Sequence, residues 1–377
     1  MTFDESALET ENSVAARDPS RLLFSLATAG AQVREAAGRF AEADRSALAD
    51  AAPPRSLLVA SDGPGSAAAG VLDVLAGETV PVVGCTGSSL PRWAGAADAL
   101  LVASLDGRHP RLAALVDQAS RRGLVVVAVA PTESPVGSAG RAVLVDVTPV
   151  HPRAARWTLL TPLLQSAVEL GVVAAEATSW DAVSGALDAV AENCRPSGDR
   201  FTTAAKQLAV EFAEAVALIA GAGPLAALAA ASTAEALGLL GGVPAVALRL
   251  PDDMARAGAL LTGFGSASDE DDFFRDRSED QAARPRLLII GDEDGGADAD
   301  RERADRSSDD AAALRAAQAL HDLASSAGTR SSTVEVPSGP PLARFAAAAA
   351  FGDFSAAYLG IGRGLDPGAP RPGELSH

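Results

Sequence analysis

Hydrophobic residues follow two alternating rhythms along this chain. From Arg55 onward, short β-branched runs of unbroken apolar character appear: SLLVA (56–60), VPVVG (80–84), ALLVAS (99–104), LVVVAVA (124–130) and AVLVDV (142–147). Between them lie stretches such as AAAGVLDVLAG (67–77) and HPRLAALVDQASRRG (109–123), whose apolar positions recur every three or four residues. Continuous apolar strands are covered on both faces, and their alternation with helices predicts a doubly wound parallel sheet. Residues 151–193 are helical in pattern, and CRPSGDRF (194–201) is a turn-rich boundary. A second cycle comes next in AVALIAG (215–221), PAVALRL (244–250), RLLIIGD (286–292) and TVEVP (333–337). Ahead of both cycles, Leu22, Leu23, Leu26, Ala27, Val33, Ala36 and Phe40 stand at helical spacing. The pattern predicts an N-terminal helical segment over 1–50 and two three-layer α/β domains with parallel sheets, over 55–170 and 200–365.

Composition narrows the classes of function. With 377 residues and 48% hydrophobic content, each domain can bury its own core, which excludes a disordered chain. No run of 18 apolar residues is free of charges or breakers, so no membrane partner is expected. The acidic start, MTFDESALETENSVAARD, lacks the pattern of an export signal, and a cytoplasmic protein is expected. A net charge of −18 excludes a nucleic-acid partner, because phosphate backbones need a basic surface. Cys85 and Cys194 are far apart and His109, His151, His321 and His377 are scattered, so neither a disulfide framework nor a metal site is expected. Two acidic stretches, 267–280 and 292–310, read as disordered, mobile inserts, although the Phe273 and Phe274 pair leaves partner binding open for the first.

In an open parallel sheet, ligands bind beyond the carboxyl ends of strands, where loops enter helix N-termini that favour anions. Two loops fit that position. Ser61-Asp62-Gly63-Pro64-Gly65-Ser66 follows the first strand; Gly65 allows close backbone approach, and Ser66 can bind an oxyanion or simply cap the helix. Ser104-Leu105-Asp106-Gly107-Arg108-His109-Pro110 follows the third strand and also opens a helix. No GxGxxG can be laid on either loop, so no dinucleotide is expected, and no cofactor of any kind is called for.

The order of these pieces is more specific than either loop alone. The Gly/Ser loop, Leu90-Pro91-Arg92-Trp93, the Ser-x-x-Gly loop and Pro152-Arg153-Ala154 are joined by Gln32-Val33-Arg34-Glu35-Ala36 near the start. Ala204-Ala205-Lys206-Gln207-Leu208-Ala209, Val243-Pro244-Ala245, Gly352-Asp353-Phe354-Ser355-Ala356-Ala357-Tyr358-Leu359 and Gly364-Leu365-Asp366-Pro367 continue the series. Together, over roughly 20–370, they resemble the sugar isomerase (SIS) domains of bifunctional phosphoglucose/phosphomannose isomerases, which hold two such domains. The resemblance implies two SIS-type αβα domains, a hexose 6-phosphate ligand and homodimerisation.

It also implies roles for particular residues. Gly65, Ser66, Ser104 and Gly107 would contact the phosphate, and Arg153 would place a cation over an enediolate; independently of the resemblance, Trp93 and Trp157 read as packing residues of the core. Departures accompany these matches. Where the family has further hydroxyls and a helix-proximal Glu, this chain has Asp106, His109 and Arg111. A carboxylate about 4 Å from a phosphate is unfavourable by a few kcal/mol at an effective dielectric of about 20, which Arg108, His109 and Arg111 would have to offset. Aldose–ketose isomerisation needs a carboxylate to move a proton and an acid/base to open the ring. A gap-free match on Val243-Pro244-Ala245 puts Leu239 at the carboxylate and Ala255 at the ring-opening His. Two readings remain: a phosphosugar-binding or regulatory pseudoenzyme, or an active isomerase that uses Glu235 from one turn earlier. The family's late Lys falls in the tail, where only His377 could substitute.

Overall fold

Among the described residues, nine strands form in the apolar runs. In the computed structural model, which describes residues 3–63, 67–265, 284–291, 308–336 and 339–371, β1 (Leu57–Ser61), β2 (Val82–Gly84), β3 (Ala99–Ala103), β4 (Val125–Val129) and β5 (Val143–Val145) make one sheet. Strands β6 (Ala215–Ala222), β7 (Ala245–Leu250), β8 (Arg284–Gly291) and β9 (Ser331–Glu335) make the other. Every pairing is parallel. The orders are β2-β1-β3-β4-β5 and β7-β6-β8-β9, so the second sheet repeats the first without its fifth strand. The acidic stretch 267–280 lies outside the described residues, as do 292–307 of the other.

Helices arise from the same pattern. The N-terminal ones are α1 (Glu11–Ala16), α2 (Leu22–Ala27), α3 (Ala29–Glu42) and α4 (Ser46–Ala49). Next come α5 (Ala68–Ala76), α6 (Pro110–Arg122), α7 (Arg156–Glu169), α8 (Trp180–Asn193) and α9 (Ala204–Phe212). The last are α10 (Pro224–Ala236), α11 (Met254–Gly265), α12 (Ser308–Ser326) and α13 (Pro341–Gly362). The chain packs as two compact units, one built mainly on Phe24–Asp188 and the other on Met1–Leu23, Ala189–Ser338 and Arg344–Ala369.

In the first unit, alternate residues of each strand face opposite layers. Leu58, Leu100, Val102, Val126 and Ala128 pack against the Leu112, Leu115, Val116 and Ala119 stripe of α6. Helices α5 and α7 lie against the strands as well and against each other. Helix α6 forms because that stripe recurs at helical spacing, His109 and Pro110 open it, and Gly123 at φ +76° ends it. At the amino ends of β1 and β3, the fully buried Asp98 carboxylate accepts from Arg55 Nε (3.0 Å) and Nη2 (2.7 Å), Ser56 Oγ (2.8 Å) and Gly95 N (2.9 Å). Burial pushes the Asp98 carboxyl up, but these bonds together hold it below the ordinary carboxylate range. Trp157 is buried as expected. Trp93 is 50% exposed, and the Arg55 guanidinium lies 5.9 Å from its ring centroid, so it is not a core residue.

In the second unit, Leu218, Ala220, Leu248, Leu287 and Ile289 pack against Ala257 and Leu261 of α11 and Ala316, Leu320 and Ala324 of α12. Helix α10 covers β6, β7 and β8. Helix α13 passes so close to α10 that a Cβ on Gly352 would sit 2.2 Å from Thr233 Oγ1. Two segments, Pro224–Gly241 and Pro341–Gly362, are long and apolar enough to cross a membrane by length and composition, but their apolar windows are 56% and 89% buried within the protein.

Lys206, the chain's single lysine, ties the start of the chain to this unit. Its fully buried ammonium donates to the carbonyls of Leu8 (3.0 Å), Pro196 (2.7 Å) and Gly198 (2.8 Å) and lies 5.4 Å from the Tyr358 ring centroid. Tyr358 in turn donates its hydroxyl to the Cys194 carbonyl at 2.5 Å. Burial lowers the Lys206 pKa and nearby Asp199 partly opposes that.

Both buried charges should be visible in stability measurements. Lys206→Met leaves three inward carbonyls without their donor, and urea denaturation should show a loss of about 2–3 kcal/mol; a loss within experimental error would mean that the lysine is dispensable. Asp98 titrates lower in the folded than in the unfolded chain, so its contribution is complete above the unfolded pKa and lost as pH falls through the folded one. The stability gap between wild type and Asp98→Asn should therefore be full at about pH 6 and shrink below about pH 4; a gap that grows on acidification would contradict the ion-pair account.

Candidate functional site

Strand order locates the candidate site. From β1 the chain crosses through α5 to β2 on one side, whereas from β3 it crosses through α6 to β4 on the other. The crossovers diverge between β1 and β3, and open parallel sheets take their ligands beyond the carboxyl ends of the strands at such a divergence. The loop after β1 begins at Asp62, and the loop after β3 is Ser104–His109. Gly65 and Ser66, expected to touch a phosphate, lie outside the described residues.

Ser104 anchors the second loop from below. Its backbone N–H bonds to Val129 O at 2.9 Å, in continuation of the ladder to β4. Its side chain is wholly buried. The hydroxyl donates to Asp62 Oδ2 at 2.7 Å and accepts from Gly107 N at 3.1 Å, so the ends of both loops are joined through one oxygen. Gly107 turns the chain at φ +63°, and a Cβ there would fall 2.0 Å from Ser134 Oγ; its carbonyl accepts from Val136 N at 2.9 Å. Only glycine satisfies both the left-handed backbone and that close approach.

The carboxylate that touches the serine is therefore Asp62. Asp106, the acidic residue that the sequence pointed to, is exposed and turns its Oδ1 back to the Arg108 N–H at 2.9 Å. Burial is the main force pushing the Asp62 carboxyl above its usual range, with Asp106 adding to it. The Ser104 hydrogen bond and the charges of His109 and Arg111 pull the other way without cancelling it.

The cations expected to offset that charge are placed differently from one another. Arg108 is exposed. Arg111 spans the edge of the sheet and donates Nη1 to Cys85 O and Nη2 to Ser61 O, both at 2.8 Å. It ties the ends of β1 and β2 to the first turn of α6. His109 caps α6, with its Nδ1 accepting from Arg111 N at 3.3 Å. The same local sequence, His-Pro-Arg, recurs after β5, where His151 Nδ1 accepts from Arg153 N at 3.2 Å and opens a short 3-10 turn over Pro152–Ala154. Arg153 thus stands on the same carboxyl edge, but beyond β5 and not beside Ser104.

The second unit holds the other expected catalytic position. Glu235 is exposed on α10, two residues before a π-helical segment, Leu237–Gly241, that carries Leu239. Ala255 is exposed in the first turn of α11. His321, the histidine of this unit among the described residues, has its Nδ1 2.8 Å from Ser331 Oγ. No general acid or base occupies position 239 or 255. Sequence reasoning missed Asp62 as the partner of Ser104. The only signal for it was an acidic residue at the first position after a buried strand that ends opposite β3.

Comparison with known proteins places this geometry in context. Residues 201–371 match the family model of the bacterial phospho-glucose isomerase C-terminal SIS domain. No curated protein matches. Among solved structures, a candidate tagatose-6-phosphate ketose/aldose isomerase from Clostridium novyi is similar at 11% identity and a TM-score of 0.61, over 96% of this chain and 94% of that one. A candidate phosphosugar isomerase from Bacillus subtilis is similar at 14% identity and 0.54, over 85% and 95%. The C-terminal domain of a glucosamine-fructose-6-phosphate aminotransferase from Francisella tularensis is similar at 10% and 0.55, over 90% and 95%. At these identities the structures speak for the fold alone. The C-terminal part therefore resembles an SIS domain of the bacterial phosphoglucose isomerases, and the chain as a whole shares the fold of these solved structures.

Proposed function

We propose that the protein binds a hexose 6-phosphate at the carboxyl edge of its first sheet and does not isomerise it. The observation that carries this reading is the Ser104–Gly107 loop at the divergence of the β1 and β3 crossovers. Parallel-sheet proteins take anions in that place, and α6 opens directly above it. Ser66, Gly65, Arg108 and His109 belong to the proposed phosphate surround, and Arg153 on the same edge would face the sugar.

Catalysis needs more than this surround. General acid–base groups each supply roughly two to four orders of magnitude, and Leu239 and Ala255 offer neither proton donor nor acceptor. Holding a phosphate needs no proton transfer, so binding survives their loss. The reading is of a pseudoenzyme in phosphosugar metabolism, cytoplasmic and homodimeric, acting by sequestering its ligand or signalling its level. The competing reading, an active isomerase with Glu235 as base, would need a shifted register across the π-helical turn.

Turnover of glucose 6-phosphate and mannose 6-phosphate should be undetectable, while glucose 6-phosphate at about pH 6.5 should raise the melting temperature saturably. Ser104→Glu should abolish the shift by placing a second carboxylate in the loop. Robust turnover that disappears in Glu235→Gln would establish the active isomerase instead.

A further inference from the structure

The serine at the centre of the candidate phosphate loop already has an anion on it. Ser104 is wholly buried, and its one hydroxyl proton is donated to Asp62 Oδ2 at 2.7 Å. A serine has a single O–H to give, so a phosphate oxygen and the Asp62 carboxylate compete for the same donor. Asp62 is partly exposed, whereas Ser104 is not. Charged groups that bear on Asp62 are Asp106 and His109 in the β3–α6 loop and Arg111 in α6. Arg111 is engaged with two strand-end carbonyls, and among the described residues no arginine or lysine forms an ion pair with Asp62. An ionised Asp62 and an incoming phosphate would therefore meet without a cation dedicated to separating them.

We propose that Asp62 is an internal anion guarding this loop, so that a phosphate monoester binds the first domain only when Asp62 is neutral and each binding event takes up one proton. The proposal rests on the phosphosugar reading of the Ser104 loop and adds its regulation: the affinity falls as pH rises. Protonated, Asp62 turns from a competing acceptor into a donor towards a phosphate oxygen. Burial supports this by raising the carboxyl above its usual range, which makes the neutral form easier to reach. Among the described residues of the two loops, no other group changes its role from acceptor to donor on gaining a proton while also touching Ser104.

Equilibrium dialysis with glucose 6-phosphate between about pH 7 and pH 8.5 tests the proposal, because the phosphate, with a second pKa of about 6, is already dianionic there. Wild-type affinity should fall about tenfold per pH unit. Asp62→Asn keeps an oxygen for the Ser104 hydroxyl but carries no charge; it should bind about tenfold or more tightly than wild type at pH 8 and show no slope. His109→Gln should retain the wild-type slope. Asp62→Ser, a second neutral variant, should behave as Asp62→Asn does and covers the case in which the amide misfolds. Binding by wild type that neither Asp62 variant alters would overturn the proposal and leave the phosphosugar reading intact, and so would a slope lost in His109→Gln instead. Absence of binding by wild type and by both Asp62 variants would overturn the two together.

Discussion

Strands covered by helices on both faces leave polar groups nowhere to go except the strand ends, and this constraint organises both domains. Within β3, every residue from Ala99 to Ala103 is buried, so nothing with a charge can stand there. The first polar side chain after the strand, Ser104, is still buried and must find its partners locally. It finds the Asp62 carboxylate and the Gly107 amide. At the opposite ends of β1 and β3 the same pressure is met by Asp98 with Arg55, Ser56 and Gly95. One end of the sheet is thus closed by a paired charge, and the other carries an acid with no ion-pair partner among the described residues.

Much of the architecture was legible because its cause is local. Unbroken runs such as LVVVAVA can only be strands buried on both faces, and β4 runs from Val125 to Val129 within that run. Likewise, the apolar stripe of HPRLAALVDQASRRG gives α6 its stated core face. Loop chemistry was less legible, since it depends on which strands become neighbours. Asp62 and Asp106 look equally placed in sequence, yet register pairs Ser61 with Ala103 and so sets Asp62 beside Ser104, while Asp106 turns back on its own loop. Trp93 looked like a core residue because tryptophan is mostly apolar; it lies under Arg55 at the surface, where the indole face meets a cation. Nor does sequence reveal that both His-Pro-Arg segments use the imidazole as a helix cap, so that each arginine falls in the helical turn its own histidine opens.

The departures from the isomerase pattern form a consistent set. In the second domain, Gly352 lets α13 pass against Thr233, and Lys206 gathers three carbonyls. These contacts stabilise the fold and ask nothing of catalysis. Positions 239 and 255, where the resemblance to the isomerases would place the proton-transfer groups, carry Leu and Ala. In the first domain, Arg111 braces β1, β2 and α6, and Asp62 accepts the Ser104 hydroxyl proton.

The most direct measurement is the number of protons exchanged on binding. Calorimetric titration of glucose 6-phosphate at about pH 8, repeated in two buffers of different ionisation enthalpy, yields that number without reference to any alignment. The account predicts uptake of close to one proton by the wild-type protein and close to none by Asp62→Asn. Binding without proton uptake in the wild type would contradict it.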